Sequence, residues 1–167
     1  TYIDTLTKVD TIYLDKTGTL TEGKFKVSEI VSLSEMSKDE IIEKIAYCES
    51  KSSHIIARAI LEEYAKGIDE KIIKEHEEIA GHGIRAIVGD EHILCGNSKL
   101  LQKYDIEAPL VDSVGSIVYL VVDNNVKGYI ILSDILKPDT KELVELLHKK
   151  GIKDVGMLTG DKINVAE

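Results

Sequence analysis

The chain has 167 residues, 43% hydrophobic and 31% charged, enough apolar material for one sizeable core or two small ones. With 30 Asp and Glu against 21 Lys and Arg the net charge is −9, so a nucleic acid would meet a repulsive field, although one small phosphate ligand can still bind locally. No apolar run approaches the roughly 20 residues that cross a bilayer, and no basic region followed by an apolar block opens the chain. A soluble chain that does not span the membrane is therefore expected.

In chain order, residues 11–14 form a short β-branched and aromatic run ending at Asp15, followed by Lys16, Thr17 and Gly18: a buried strand entering a phosphate-sized loop. A second strand is expected over 24–33, with Phe25, Val27 and Val31 marking one face imperfectly. Ser37 and Glu40 have the spacing of a capping box, and Ile41, Ile42, Ile45 and Ala46 recur at helical period, which predicts a helix over 38–49. Ile55, Ile56, Ala59, Ile60 and Tyr64 repeat the pattern and Gly67 supplies a stop, so a second helix should pack beside the first. Between 71 and 96 apolar residues alternate among glycines and charges, with Gly89-Asp90 as a turn, predicting two or three antiparallel strands. Asn97 caps a short helix to about Tyr104, and 106–115 is a loop around Pro109. Residues 117–122 and 126–132 flank Asn124-Asn125 as a hairpin. Pro138 and Asp139 open a helix with Glu142 at the capping position, a Leu143, Leu146, Leu147 stripe and Gly151 at its end. Residues 154–158 form the last strand and lead into Thr159-Gly160-Asp161. Cys48 and Cys95 have neither CxxC nor Cys/His spacing and are expected to be reduced and buried.

The ends thus read as a parallel α/β sheet, while the middle reads as a helical hairpin with an antiparallel sheet. An insertion accounts for both: residues 24–125 form one domain set into a second made of 1–23 and 126–167.

Asp15 stands at a strand end, where α/β sheets place their ligands. Lys16 can screen a phosphoryl group, Gly18 lets backbone N–H groups approach phosphate oxygens, and Thr17 and Thr19 add hydroxyls. Taken by themselves these residues read rather as a strand closed by a polar turn, with Asp15 as a cap and Lys16 as a solvated charge. The full run Asp15-Lys16-Thr17-Gly18-Thr19-Leu20-Thr21, however, resembles the signature segment of P-type ATPases, a branch of the haloacid dehalogenase-like group. The resemblance implies an α/β fold, with an incomplete Rossmann-like phosphorylation domain carrying an inserted α+β nucleotide-binding domain. It also implies that Asp15 takes the γ-phosphate of ATP with Mg²⁺ held by Asp15 and the Thr17 backbone. Phosphatases of that group usually carry a second Asp two residues after the nucleophile; Thr17 stands there, and without a base to activate water an aspartyl phosphate persists.

Thr159-Gly160-Asp161 resembles the family segment whose Thr contacts the phosphoryl oxygens, although Lys162 follows where Asn is usual. Asp134 resembles a position near the nucleotide and the interdomain hinge; an isolated Asp there also reads as a loop cap. The family's acidic Gly-Asp-Gly loop and its later Lys have no counterpart before Glu167, so this stretch alone is not expected to turn over ATP efficiently.

Glu49-Ser50-Lys51-Ser52-Ser53-His54 resembles the heavy-metal branch, in which the Glu and His hold the adenine end of ATP; Ile55 stands where that branch has Pro. By position alone His54 reads as a helix cap or a surface residue. Gly81-His82-Gly83-Ile84-Arg85-Ala86 matches a dinucleotide fingerprint, but the alternation that follows favours strands over the helix such a loop must open. In the heavy-metal branch a Gly-x-Gly here approaches the nucleotide, and Gly96-Asn97 resembles a further pocket element. Glu49, His54, Gly81, Gly83, Ile84, Gly96 and Asn97 match in order and in approximate spacing. The resemblance implies ATP as ligand, a parent pump with actuator and membrane domains, a place at the cytoplasmic face of the membrane, and domain closure during turnover. A divalent ion such as Zn²⁺ or Cd²⁺ is expected from the similarity around Met157-Leu158-Thr159, with Cu⁺ next. The rival readings are a haloacid dehalogenase-like phosphatase, against which Thr17 speaks, and a non-catalytic nucleotide-binding regulator.

Overall fold

The computed structural model describes residues 9–113 and 115–158. The chain divides into two compact units, residues 25–133 and the two flanking segments up to Lys24 and from Asp134. The second junction lies eight residues later than the 125/126 boundary read from the sequence. The cause is that β7, residues Asn125–Leu136, pairs with β6, Ser116–Val122, and so keeps its first part in the larger unit.

The larger unit is built on a six-stranded sheet in the order β2-β7-β6-β5-β4-β3. Here β2 is Thr21–Ser32, β3 Ile73–Ile79, β4 Gly83–Val88 and β5 Glu91–Gly96, and the successive pairs from β3 to β7 are antiparallel. Strand β6 explains the layering. Val118, Leu120 and Val122 point into a core shared with α1 (Lys38–Glu49) and α2 (Ile55–Tyr64), while Tyr119 and Val121 point into a second cluster with α3 (Ser98–Lys103). A strand buried on both faces must be apolar, and β6 is from Ile117 to Val122. The first core is filled by Ile41, Ile45, Ile60, Leu120, Ile130 and Leu132, all completely inaccessible, and it encloses the free thiols of Cys48 and Cys95.

Helix α1 starts where the sequence places it: Ser37 Oγ accepts from Glu40 N–H and the Glu40 carboxylate accepts from Ser37 N–H at 2.7 Å. Helix α2 ends earlier than Gly67, because Ala65 already adopts the left-handed conformation. The β6–β7 turn sits on Asp123 and Asn124, one residue before the expected Asn124-Asn125. Both have positive φ, as the tightest hairpin turn requires.

In the smaller unit β1 (Thr11–Asp15) pairs in parallel with β8 (Asp154–Leu158), and Asp15 lies opposite Leu158 at the C-terminal ends of both strands. The Tyr13 ring covers Gly156, where an added Cβ would lie 2.6 Å from it. Helix α4 runs over Thr140–Lys149 without the expected Glu142 capping box: its N-cap Asp139 makes no side-chain cap bond, and Thr140 Oγ1 instead donates to the Leu20 carbonyl at 2.7 Å. Its apolar stripe is correctly spaced but not buried, with Leu143 and Leu146 exposed, because a two-stranded layer covers little surface. Among the described residues no helix is long and apolar enough to cross a membrane.

Candidate functional site

Seven residues singled out in the sequence, Glu49, His54, Gly81, Gly83, Ile84, Gly96 and Asn97, line one cavity of about 370 Å³ in the larger unit. They arrive from four places: the C-terminus of α1, the N-cap of α2, the β3–β4 turn with the first two residues of β4, and the end of β5 as it enters α3. Close backbone approach makes this convergence possible. Gly83 and Gly96 are register partners, and a Cβ on Gly83 would lie 2.1 Å from the Cys95 carbonyl oxygen. Gly83 also has φ of 144°, a conformation that side chains resist.

Asn97 fixes the turn from below. Its Oδ1 accepts from Lys99 and Leu100 N–H as the cap of α3, its Nδ2 donates to the Gly81 carbonyl at 3.0 Å, and its own N–H donates to the His82 carbonyl. The Gly81-His82-Gly83 segment is therefore a hairpin turn rather than a helix opening, which removes the dinucleotide-fingerprint alternative. His54 does cap α2: its Nδ1 accepts from Ile56 N–H, which places the hydrogen of the neutral ring on Nε2. Capping and a role in the cavity are thus compatible, one on each ring nitrogen.

Glu49 is 7% exposed and receives no hydrogen bond on its carboxylate among the described residues. Burial, then the facing Glu78, push its carboxyl up to about 7. Sequence reading missed Glu78 as a lining residue. The strand pattern around it was legible, but its side of the hairpin is set by the β3–β4 register, in which Glu78 lies opposite Ile84. Ser116, Ile117 and Val118 of β6, also missed, contribute to the wall.

In the smaller unit Asp15 is exposed at the end of β1. The loop after it, residues Lys16–Leu20, is shaped as a tight turn by Thr17 (φ −75°, ψ 120°) and Gly18 (φ 79°, ψ −17°), the geometry that calls for glycine at its second central position. Thr21, only 1% exposed, staples this turn: its Oγ1 accepts from Gly18 N–H at 3.1 Å and donates to the Lys16 carbonyl at 3.2 Å. Lys137 Nζ donates to the Gly18 carbonyl at 3.0 Å, bringing a cation to the loop. Neither Thr21 nor Lys137 was singled out for a role from sequence. Asp134, three residues before Lys137, carries a buried Oδ1 without a hydrogen-bond partner among the described residues. Thr159, Gly160 and Asp161 lie outside the described residues, although β8 ends immediately before them.

Residues 9–167 match the haloacid dehalogenase-like hydrolase family. The chain is 41% identical over its whole length to a zinc-transporting ATPase of Synechocystis sp. and 40% identical over 99% of it to a cadmium, zinc and cobalt-transporting ATPase of Bacillus subtilis. It spans 23% and 24% of those proteins. A crystal structure of a zinc-transporting PIB-type ATPase in its E2.Pi state superposes with a TM-score of 0.72 at 28% identity, over 98% of this chain and 28% of that one. Sequence and fold together establish that the chain belongs to the haloacid dehalogenase-like hydrolases and corresponds to a catalytic segment of heavy-metal P-type ATPases.

Proposed function

We propose that the chain binds ATP through the larger unit and accepts its γ-phosphate on Asp15 of the smaller one, as part of a pump for a divalent heavy metal at the cytoplasmic face of a membrane. The observation that carries this is the convergence of Glu49, His54, Gly81, Gly83, Ile84, Gly96 and Asn97 on one cavity, in a chain that also presents Asp15 at a strand end. The cavity suits the base of a nucleotide: Ile56, Ile79, Ile84 and Ile117 offer apolar walls, and the Glu49 carboxyl and His54 supply polar contacts at the edge. The narrow Gly81–Gly83 turn leaves room for ribose and phosphate to pass close to the backbone.

In the transfer step an Asp15 carboxylate oxygen forms a bond to the γ-phosphorus as the bond to the β-phosphate bridging oxygen breaks, releasing ADP. Lys16 offsets developing charge, and the turn held by Thr21 and Lys137 presents its backbone to the phosphoryl group. With Thr17 in place of a general base, water is not activated and the acyl phosphate survives long enough to drive a conformational change. Thr159 is proposed to contact the phosphoryl oxygens, Gly160 and Asp161 to shape that loop, and Asp134 to act near the nucleotide. The loop also fits Mg²⁺ chemically, since that ion prefers hard oxygen donors and keeps several waters; the Asp15 carboxylate and the Thr17 backbone would hold it. When bound, the ion would neutralise phosphate charge. The metal cargo is proposed as Zn²⁺ or Cd²⁺, since the relatives at 41% and 40% identity named above both carry zinc transport in their names and the second carries cadmium as well. The actuator and membrane domains of such a pump are the proposed partners.

Titration of the chain with ATP, followed by amide NMR, tests the first half. Shifts are expected at Glu49, His54, Gly81 and Asn97, and an unmoved set would refute the binding site. For the second half, radiolabelled ATP should leave acid-stable phosphate on a chain extended past Glu167, and Asp15→Asn should abolish it. Label that persists in the variant would overturn Asp15 as acceptor.

A further inference from the structure

A nucleotide carries its charge on phosphates, yet among the described residues the cavity is lined by two carboxylates, Glu49 and Glu78, and by no Lys or Arg. A side-chain countercharge can come only from the lining histidines, His54 and His82, and the hydrogen bonds of the two rings sort them. His54 Nδ1 accepts from Ile56 N–H at 3.2 Å, which uses a lone pair, so protonating that nitrogen would break the cap of α2. His82 Nδ1 faces the Ala80 carbonyl at 2.8 Å, a group that only accepts, so this nitrogen carries a hydrogen in the neutral ring and in the charged one alike. A further proton on His82 therefore breaks nothing. It turns Nε2 from an acceptor into a second donor.

On the reading that this cavity holds ATP, we propose that His82, as an imidazolium, is the side-chain ligand of the nucleotide's phosphate chain. The ring stands in the β3–β4 turn and is fixed before any ligand arrives. His82 N–H donates to the Ile79 carbonyl and the His82 carbonyl accepts from Asn97 N–H, each at 2.9 Å, while Nδ1 is tethered to Ala80. The side chain is half-buried between two glycines, and a Cβ on Gly81 would meet nothing within 4 Å, so the turn beside the ring is open to a phosphate. The Nε2–H of an imidazolium makes a charge-assisted hydrogen bond to a phosphate oxygen, whereas the neutral ring offers that oxygen only a lone pair. Imidazole is the side chain that exchanges its proton with solvent near neutrality, so the second hydrogen needs no other source. Glu49 from the end of α1 and Glu78 from β3 would by themselves repel the phosphates. A positive ring in the turn offsets them and draws the chain across Gly81 and Gly83.

Titration of the chain with adenosine and with ADP, followed by amide NMR, tests the proposal, because the two ligands share base and ribose and differ only in the phosphates. His82→Ala should weaken ADP by about three- to tenfold and leave adenosine unchanged. His82→Lys, which returns a cation to the turn, should recover most of that loss. In ring ¹⁵N spectra of the wild type at about pH 7.5, His82 should move toward the doubly protonated form as ADP is added and keep the protonation of the free chain with adenosine. An ADP affinity unchanged in His82→Ala, an equal loss for ADP and adenosine, a His82→Lys protein no better than His82→Ala, or a ring whose protonation ADP does not alter overturns the role of His82 while leaving nucleotide binding intact. Failure of both ligands to bind the wild type overturns the nucleotide reading itself, and this proposal with it.

Discussion

Replacing Glu49 by Gln should make the larger unit harder to unfold at alkaline pH and change little at acid pH. Glu49 is 7% exposed, and burial followed by the charge of Glu78 raises its carboxyl from an ordinary 4.5 to about 7. Between those values the folded chain keeps a proton that the unfolded chain has released. The sign is thus opposite to that of a salt-bridged carboxylate: stability linked to this group is whole below 4.5 and is lost as pH rises toward 7. At about 1.4 kcal/mol per pH unit the full loss approaches ~3 kcal/mol, and water at the mouth of the cavity lowers the expected figure to roughly 1–3 kcal/mol. Gln matches the shape of the neutral acid and never ionises. Urea unfolding of both proteins from about pH 4 to pH 8, read at amides of the α1–β6 core such as Ile45 and Leu120, measures the difference. The two curves should nearly coincide at pH 4 and separate by that amount at pH 8. A gap of constant size across the range would refute the argument, since it would mean that Gln acts through packing and not through a proton.

Three further substitutions test other parts of the molecule. Ile55→Pro should stabilise the larger unit by about 0.5–1 kcal/mol in a thermal melt, because Ile55 is the first residue of α2 and His54 already has the extended conformation (φ −66°, ψ 146°) that a following proline demands. Thr21→Val keeps the buried shape but removes the hydroxyl shared by Gly18 N–H and the Lys16 carbonyl; a cost of about 1–2 kcal/mol in local stability should appear as faster hydrogen exchange at Gly18. Gly83→Ala drives a Cβ to 2.1 Å from the Cys95 carbonyl, so it should cost more than about 3 kcal/mol and broaden or lose the amide signals of β4 and β5, whereas Gly89→Ala, with open space and φ of 61°, should cost only about 1 kcal/mol.

How much of this was legible in the sequence depended on whether the determinant was local. The capping box at Ser37 and Glu40, the period of Ile41, Ile42 and Ile45, and the Asn97 cap act within one turn of helix, and each forms as read. The Asp15 loop was legible for the same reason, since its geometry rests on Gly18. Failures occur where distant segments decide. Glu142 has capping spacing, yet the start of α4 is anchored by Thr140 to Leu20, some 120 residues away in sequence. The stripe of Leu143, Leu146 and Leu147 predicts a helix correctly, but whether it is covered depends on how much surface packs against it. Glu78 escaped notice because alternation along β3 does not reveal which cross-strand partner its register selects.

The same distinction divides shape from charge within the cavity. Gly83, Gly96 and Asn97 give it a contour through backbone approach, and residues of this kind are visible in a sequence because few others tolerate their positions. Its electrostatics come from Glu49 and Glu78, brought together by the end of α1 and a hairpin register. A cation placed between them would have held both ionised, and then Glu49 would be an acceptor alone. Without one, burial and then the exposed carboxylate beside it push the Glu49 carboxyl up to about 7, a shift that the residue type does not advertise. The raised Glu49 carboxyl is therefore a property of the fold, set first by its burial and then by the charge opposite it.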